Sequence, residues 1–200
     1  MRAIHRAIWM ACLLISAWVH AQSSPPRSVW RIGEAPAELR EPIARADLIV
    51  VSMQDAFLRE LNKALDRGGP NWAMGSCHID VTMLSERFRR QEGLAVGRTS
   101  DRLRNPTNAP RAWAKPIVEA NAGLYARDVE GFAVDLGDKV GIMRPMVQRP
   151  MCASCHGPAE KIHPAVRKAI PVRFPSDRAI GFVEGEIRGW WWVEIPKTAR

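Results

Sequence analysis

The chain has 200 residues, 46% of them apolar, and a formal net charge of +8. That length suits one domain with room for a helical extension, and the apolar share supports a core without dense disulfide stapling. Lys and Arg are scattered rather than gathered into a block with interleaved aromatics, which excludes a dedicated nucleic-acid surface.

Residues 1–21 read as a secretory signal. Arg2 and Arg6 supply the positive start, Ile8 to Val19 the apolar segment, and Val19-His20-Ala21 a small-residue cleavage site. The apolar run is too short to span a bilayer comfortably, so an uncleaved membrane anchor is the lesser alternative. Cleavage removes both arginines and no acid, taking the charge from +8 to +6. It also removes Cys12 and leaves Cys77, Cys152 and Cys155. The expected location is the periplasm.

Residues 22–36 carry Pro25, Pro26 and Pro36 with little periodicity and read as a flexible lead-in. The domain proper is expected over 37–200. From Ala37 to Arg67, apolar residues recur at three- and four-residue steps (Leu39, Ile43, Ala46, Val50, Met53, Phe57, Leu61, Leu65), which predicts a long amphipathic helix. Gly68-Gly69-Pro70 should stop it. The helix is expected to pack on the core, with dimerisation the other use of such a face. Residues 71–91 hold Cys77-His78 and a weaker helical pattern at Val81, Leu84 and Phe88.

A short strand is predicted over 93–99, a polar structured loop over 100–110 and a second helix over 113–124. Strands follow at 131–136 and 139–147, joined by the hairpin dipeptide Gly137-Asp138. After Met151–Gly157 come a short helix near 164–169 and a last strand over 186–195 carrying Trp190, Trp191 and Trp192. Such alternation puts at most two of those rings on one core face. Few crossover helices separate the strands, so an α+β fold with a largely antiparallel sheet is expected.

Cys152-Ala153-Ser154-Cys155-His156 carries the chemistry. Cys-x-x-Cys-His is the attachment pattern of c-type haem. In a helical turn its thiols and imidazole stand at i, i+3 and i+4 and share one face. Both thiols can then add to the two haem vinyl groups, and His156 can act as proximal iron ligand. The competing readings are weaker. Zinc needs a second ligand pair that is not present, and a thioredoxin-like motif belongs early in a βαβ setting. With two thiols used, Cys77 is the odd cysteine.

Three blocks resemble a family of exported c-type haem domains with a PAS-like fold, a domain of unknown function that often forms the sensory part of bacterial signalling proteins. The first is Gly97-Arg98-Thr99-Ser100 with Leu103 to Pro110 and Trp113. The second is Cys152-x-x-Cys155-His156-Gly157, and the third is Phe174 to Gly181 followed by Gly185 to Gly189. The resemblance implies a PAS-like antiparallel sheet flanked by helices. It also implies a sixth iron ligand from a cysteine after a Gly-Pro turn, which maps onto Cys77 beyond Gly69-Pro70. Cys77 is followed by His78-Ile79-Asp80, and Asp101 stands where the family has an apolar residue.

Other readings of these residues stay open. Cys77 could be a buried small hydrophobe, and His78, Met74, Met143, Met146 or Met151 could ligate in its place. His163 reads as a surface residue. Arg98, Arg104 and Arg144 are candidates for the haem propionates, because guanidinium matches carboxylate with paired hydrogen bonds. Asn105 and Asn108 should shape their loop. No nucleophile–base arrangement stands out, so no enzyme is expected.

The expectation is therefore a periplasmic redox- or gas-responsive sensor holding one covalent haem c on His156 and Cys77. Carbon monoxide, nitric oxide or a redox protein are its partners, and any signal passes through a separate protein. A soluble electron carrier with His/Met ligation is the alternative. A haem peroxidase, with His78 as distal group, comes third. Nothing in the sequence sets an oligomeric state.

Overall fold

The computed structural model describes residues 28–198, except Gly93 and the side chains of 76–82, 84, 91 and 92. The signal segment at 1–21 and the start of the lead-in lie outside the described residues.

Among the described residues one five-stranded sheet runs in the order β1-β3-β4-β5-β2, and every neighbouring pair is antiparallel. The strands are β1 (Val29–Arg31), β2 (Ala95–Thr99), β3 (Phe132–Asp135), β4 (Lys139–Val147) and β5 (Ile187–Pro196). The β3–β4 hairpin turns at Gly137, whose φ of 91° suits glycine. Its N–H donates to Asp135 Oδ1 at 2.8 Å. The α+β class expected from the sequence holds.

β1 corrects the lead-in. Trp30 pairs with Ala133 on β3, so part of the segment read as flexible is an edge strand. Three residues are too few to show alternation, and this strand is defined by its partner.

Helix α1 (Arg40–Glu92) is two helices meeting at a kink. Gly68 (φ −159°, ψ 19°) and Gly69 (φ 65°, ψ −166°) break the first, and Pro70 starts the second. The glycines therefore redirect the chain rather than ending its helical course. α2 (Lys115–Ala120) is shorter than the predicted 113–124, and α4 (Pro164–Arg173) is longer than 164–169.

Both faces of the sheet are covered. Leu39, in the 3-10 turn before it, and Ile43, Ala46, Val50 and Met53 of the first helix pack on Val140, Ile142, Trp191, Val193 and Ile195. On the other face, Ile117 and Val118 of α2 with Val129 pack on Met143, Ile187 and Trp190. The triple Trp serves both layers. Trp191 faces α1, while Trp190 and the half-buried Trp192 face the α2 layer. Gly97 is required there, because a Cβ would lie 2.7 Å from Trp192 Cζ2.

Candidate cofactor site

β4 runs through Gln148 and Arg149 into a 3-10 turn (Pro150–Cys152) and the single-turn helix α3 (Ala153–His156). Cys152 has helical angles (φ −78°, ψ −16°), so Cys152, Cys155 and His156 occupy consecutive turns of one face. Gly157 closes the turn, its N–H donating to Ala153 O at 2.9 Å. A Cβ at 157 would lie 2.7 Å from that same oxygen, so only glycine lets the chain leave so tightly.

All three residues line one cleft that opens to solvent. Phe57, Leu61 and Leu65 from the first helix of α1, with Ala73 and Met74 beyond the kink, make its apolar wall. Thr99, Ser100, Arg102 to Asn105 and Met146 also line it. Met74 also packs with Ile162, Val166 and Ala169, against which Cys155 leans.

His156 is held in one tautomer. Its Nδ1 lies 2.8 Å from the Ala179 carbonyl, which can only accept, so Nδ1 carries the proton and Nε2 keeps its lone pair. Burial, then the guanidinium groups of Arg188 and Arg104, push the ring's pKa well below its ordinary value. Its remaining accessible surface borders the cleft. The imidazole is neutral, as an iron ligand must be. Burial also pushes the Cys155 thiol up, although Ser154 and Arg104 oppose it.

Four arginines line the cleft: Arg98, Arg102, Arg104 and Arg188. Arg98 reaches it from β2 with its guanidinium 5.1 Å from the Phe57 ring centroid. Arg102 is tied to Glu186 and stacks 3.5 Å over the Phe182 ring. Arg104 spans Asp177 (3.2 Å from both Nε and Nη2) and donates to Cys155 O at 2.6 Å. Arg188 arrives through an irregularity in the sheet. Met146 pairs with Gly189 and Val147 with Ile187, leaving Arg188 as the extra residue on β5. Such a bulge re-aims a side chain. Arg188 Nη1 lies 3.5 Å from His156 Nε2, and Nη2 reaches Met146 Sδ.

Arg144 departs from its predicted role. It does not line the cleft; Nε and Nη2 grip Asp47 on α1 at 2.7 and 2.6 Å, and Nη1 donates to Glu130 O at 2.9 Å. Its position on β4 faces the first helix, not the motif. Met143 is fully buried in the α2 layer, away from the cleft, whereas Met74, Met146 and the exposed Met151 border it. His163 is exposed and caps α4, its Nδ1 accepting from Ala165 N at 3.2 Å. Asn105 caps a 3-10 turn through Thr107 N. The side chains of Cys77 and His78 lie outside the described residues, although both positions fall within α1.

Arg188, Arg102, Asp177 and the Ala179 carbonyl were not singled out from sequence. Asp177 and Arg188 sit inside the quoted blocks, but their roles depend on contacts across dozens of residues.

These residues fit a haem bound through Cys152, Cys155 and His156. The two thiols and the imidazole lone pair border one apolar cleft, and its arginines suit carboxylates. Among the described residues no group of three or more His, Cys, Asp or Glu could hold a metal ion.

A family model described as Tll0287-like matches residues 34–196. No curated protein matches the chain. Among solved structures, the crystal structure of the cyanobacterial haem protein Tll0287 is similar, with a TM-score of 0.57 at 21% identity. The match covers 80% of this chain and 98% of that one, and at this identity it speaks for the fold.

Proposed function

The chain belongs to the Tll0287-like family, and from that premise we propose that it is an exported protein with one covalent haem c, serving as a redox- or gas-responsive module. One observation carries the reading: Cys152, Cys155 and the Nδ1-protonated His156 border the same apolar cleft. Haem bound there supplies a one-electron couple and a coordination position that a small gas can enter.

The chain's own residues do the rest. Cys152 and Cys155 would carry the thioethers, and His156, with its proton on Nδ1, would offer Nε2 to the iron. Phe57, Leu61 and Leu65 exclude water from the cleft. Arg98 and Arg188, which line the cleft, would provide charge for the two propionates. Cys77 follows Ala73, which lines the cleft, by four residues in the same helix, and we assign it the sixth iron position. A thiolate ligand favours the ferric state and lowers the potential. That suits a responsive module better than a carrier, and the role is not catalytic.

The exported protein tests this. Protein matured with haem-attachment machinery should have the apoprotein mass plus one haem and a c-type pyridine spectrum. Its ferric form should be low-spin with a sulfur-to-iron charge-transfer band. Haem extractable by acidic organic solvent, or stoichiometric zinc, overturns the reading. Met74 and Met146 both border the cleft and favour one second reading, a His/Met electron carrier. A thioether band without a thiolate signature would select it.

A further inference from the structure

Resting on the haem reading above, we infer that Asp177 is a positioning residue for the iron ligand His156, acting through Arg104 and the Ala179 carbonyl. The Asp177 side chain is 2% exposed and that of Arg104 14%. Asp177 Oδ1 accepts from Ala179 N at 2.9 Å and from Arg104 Nε at 3.2 Å, while Oδ2 accepts from Arg104 Nη2 at 3.2 Å. The same Nη2 donates to Cys155 O at 2.6 Å and to Ala179 O at 3.4 Å. Ala179 O is the oxygen that receives the His156 Nδ1 proton, at 2.8 Å.

The ion pair thus holds both sides of that hydrogen bond. Through the Cys155 carbonyl it fixes the turn that carries His156, and through the Ala179 amide it fixes the loop that receives the proton. Two backbone bonds dock this loop onto the motif, Gly181 N to Gly157 O (2.8 Å) and Phe182 N to His156 O (3.0 Å). A buried ion pair is by itself poor evidence of stabilisation, because its desolvation offsets its attraction. Geometric control of the imidazole gives the pair a reason to be buried. A fixed acceptor at Nδ1 orients the ring and makes Nε2 the better donor, which strengthens the bond to ferric iron.

Charge and position predict different signs. By charge alone, Asp177→Asn removes a negative group and raises the reduction potential. Arg104→Gln removes a positive one and lowers it, and the double variant leaves the potential unchanged. If the pair positions His156, all three variants raise it. The double variant should favour the ferrous state by about tenfold, the lower end of such outer-shell effects. That equals about 59 mV for one electron. In the same proteins, the His156 Nδ1–H resonance of the diamagnetic ferrous form should exchange with water at least tenfold faster.

Opposite signs in the single variants with an unmoved double variant overturn the inference. So does rapid Nδ1–H exchange in the unsubstituted protein. Should either single variant fail to fold, the double variant still decides, since it strands no buried charge. Mass spectrometry of the unsubstituted protein reports the haem reading separately. If no haem is attached, that reading fails, and Nδ1–H exchange in the haem-free full chain still tests the clamp.

Discussion

Arg144 separates a structural arginine from one that serves the cofactor. Arg144→Met keeps most of the aliphatic stem but removes the fork that grips Asp47 at 2.7 and 2.6 Å and the bond to Glu130 O. Hydrogen bonds to charged groups contribute about 1.5–3 kcal/mol, and fully exposed ion pairs about 0–1 kcal/mol. Arg144 and Asp47 are 21% and 37% exposed, so solvent screens part of the interaction. The loss should be about 1–2 kcal/mol, or roughly 3–6 °C in Tm for a domain of this size. The visible spectrum and potential of the haem-loaded protein should not change. Circular dichroism melts and a redox titration read the two quantities separately. An unchanged Tm with a shifted potential would refute the reasoning and return Arg144 to the propionates.

Cys77→Ser should leave the covalent haem in place, remove the thiolate charge-transfer band and let carbon monoxide bind rapidly; an unchanged ferric spectrum moves the ligand to Met74 or Met146. Gly97→Ala should cost about 1–3 kcal/mol through overpacking, because the new methyl meets the Trp192 ring at 2.7 Å; a denaturant midpoint and tryptophan emission report it. Burial raises the Glu194 carboxyl, but the bonds from Arg111 Nε (2.9 Å) and Trp113 Nε1 (2.8 Å) outweigh it and hold its pKa below the ordinary 4.5. A lowered folded pKa contributes stability above the unfolded value that disappears as pH falls through the folded one. Glu194→Gln should therefore destabilise at neutral pH and flatten the loss of stability below 4.5, measured by urea unfolding across that range.

What was legible in the sequence is what short spacing encodes. The first helix of α1 shows because its apolar residues recur over eight turns, and the β3–β4 hairpin shows because Gly137 needs a positive φ. The Cys152–His156 turn shows because its three functional groups lie within five residues. The failures have a common cause. β1 is too short to alternate, and a kink at Gly68-Gly69 looks from sequence like a stop, since the glycines that end a helix also permit its restart at Pro70. Sequence shows only the guanidinium of Arg144, and only the strand's facing shows that Asp47 holds it. The facing of Arg188 is hidden in the sequence because a bulge breaks the alternation from which facing is read. Asp177 and Ala179 meet His156 from more than twenty residues away, which no local pattern reports.

The register shift at Met146/Val147 explains why the site lies where it does. On the α1 face, Leu39 to Met53 seal the sheet, Phe57 still packs on Trp191, and Phe57, Leu61 and Leu65 form one wall of the cleft. A regular β4–β5 ladder at that end would present alternating side chains and no reason to open. The extra residue on β5 instead sends Arg188 into the cleft, while the chain after β4, still bonded through Gln148 to Glu186 O and Gly185 N (2.9 Å each), turns through Pro150 into the Cys152 helix. One irregularity thus supplies a cation and delivers the thiols and imidazole to the same space. The α2 face is filled by Trp190, Met143 and Val118. The site follows from where the sheet stops being regular, and the kink at Gly69 lets the second helix of α1 return Ala73 and Met74 to complete its wall.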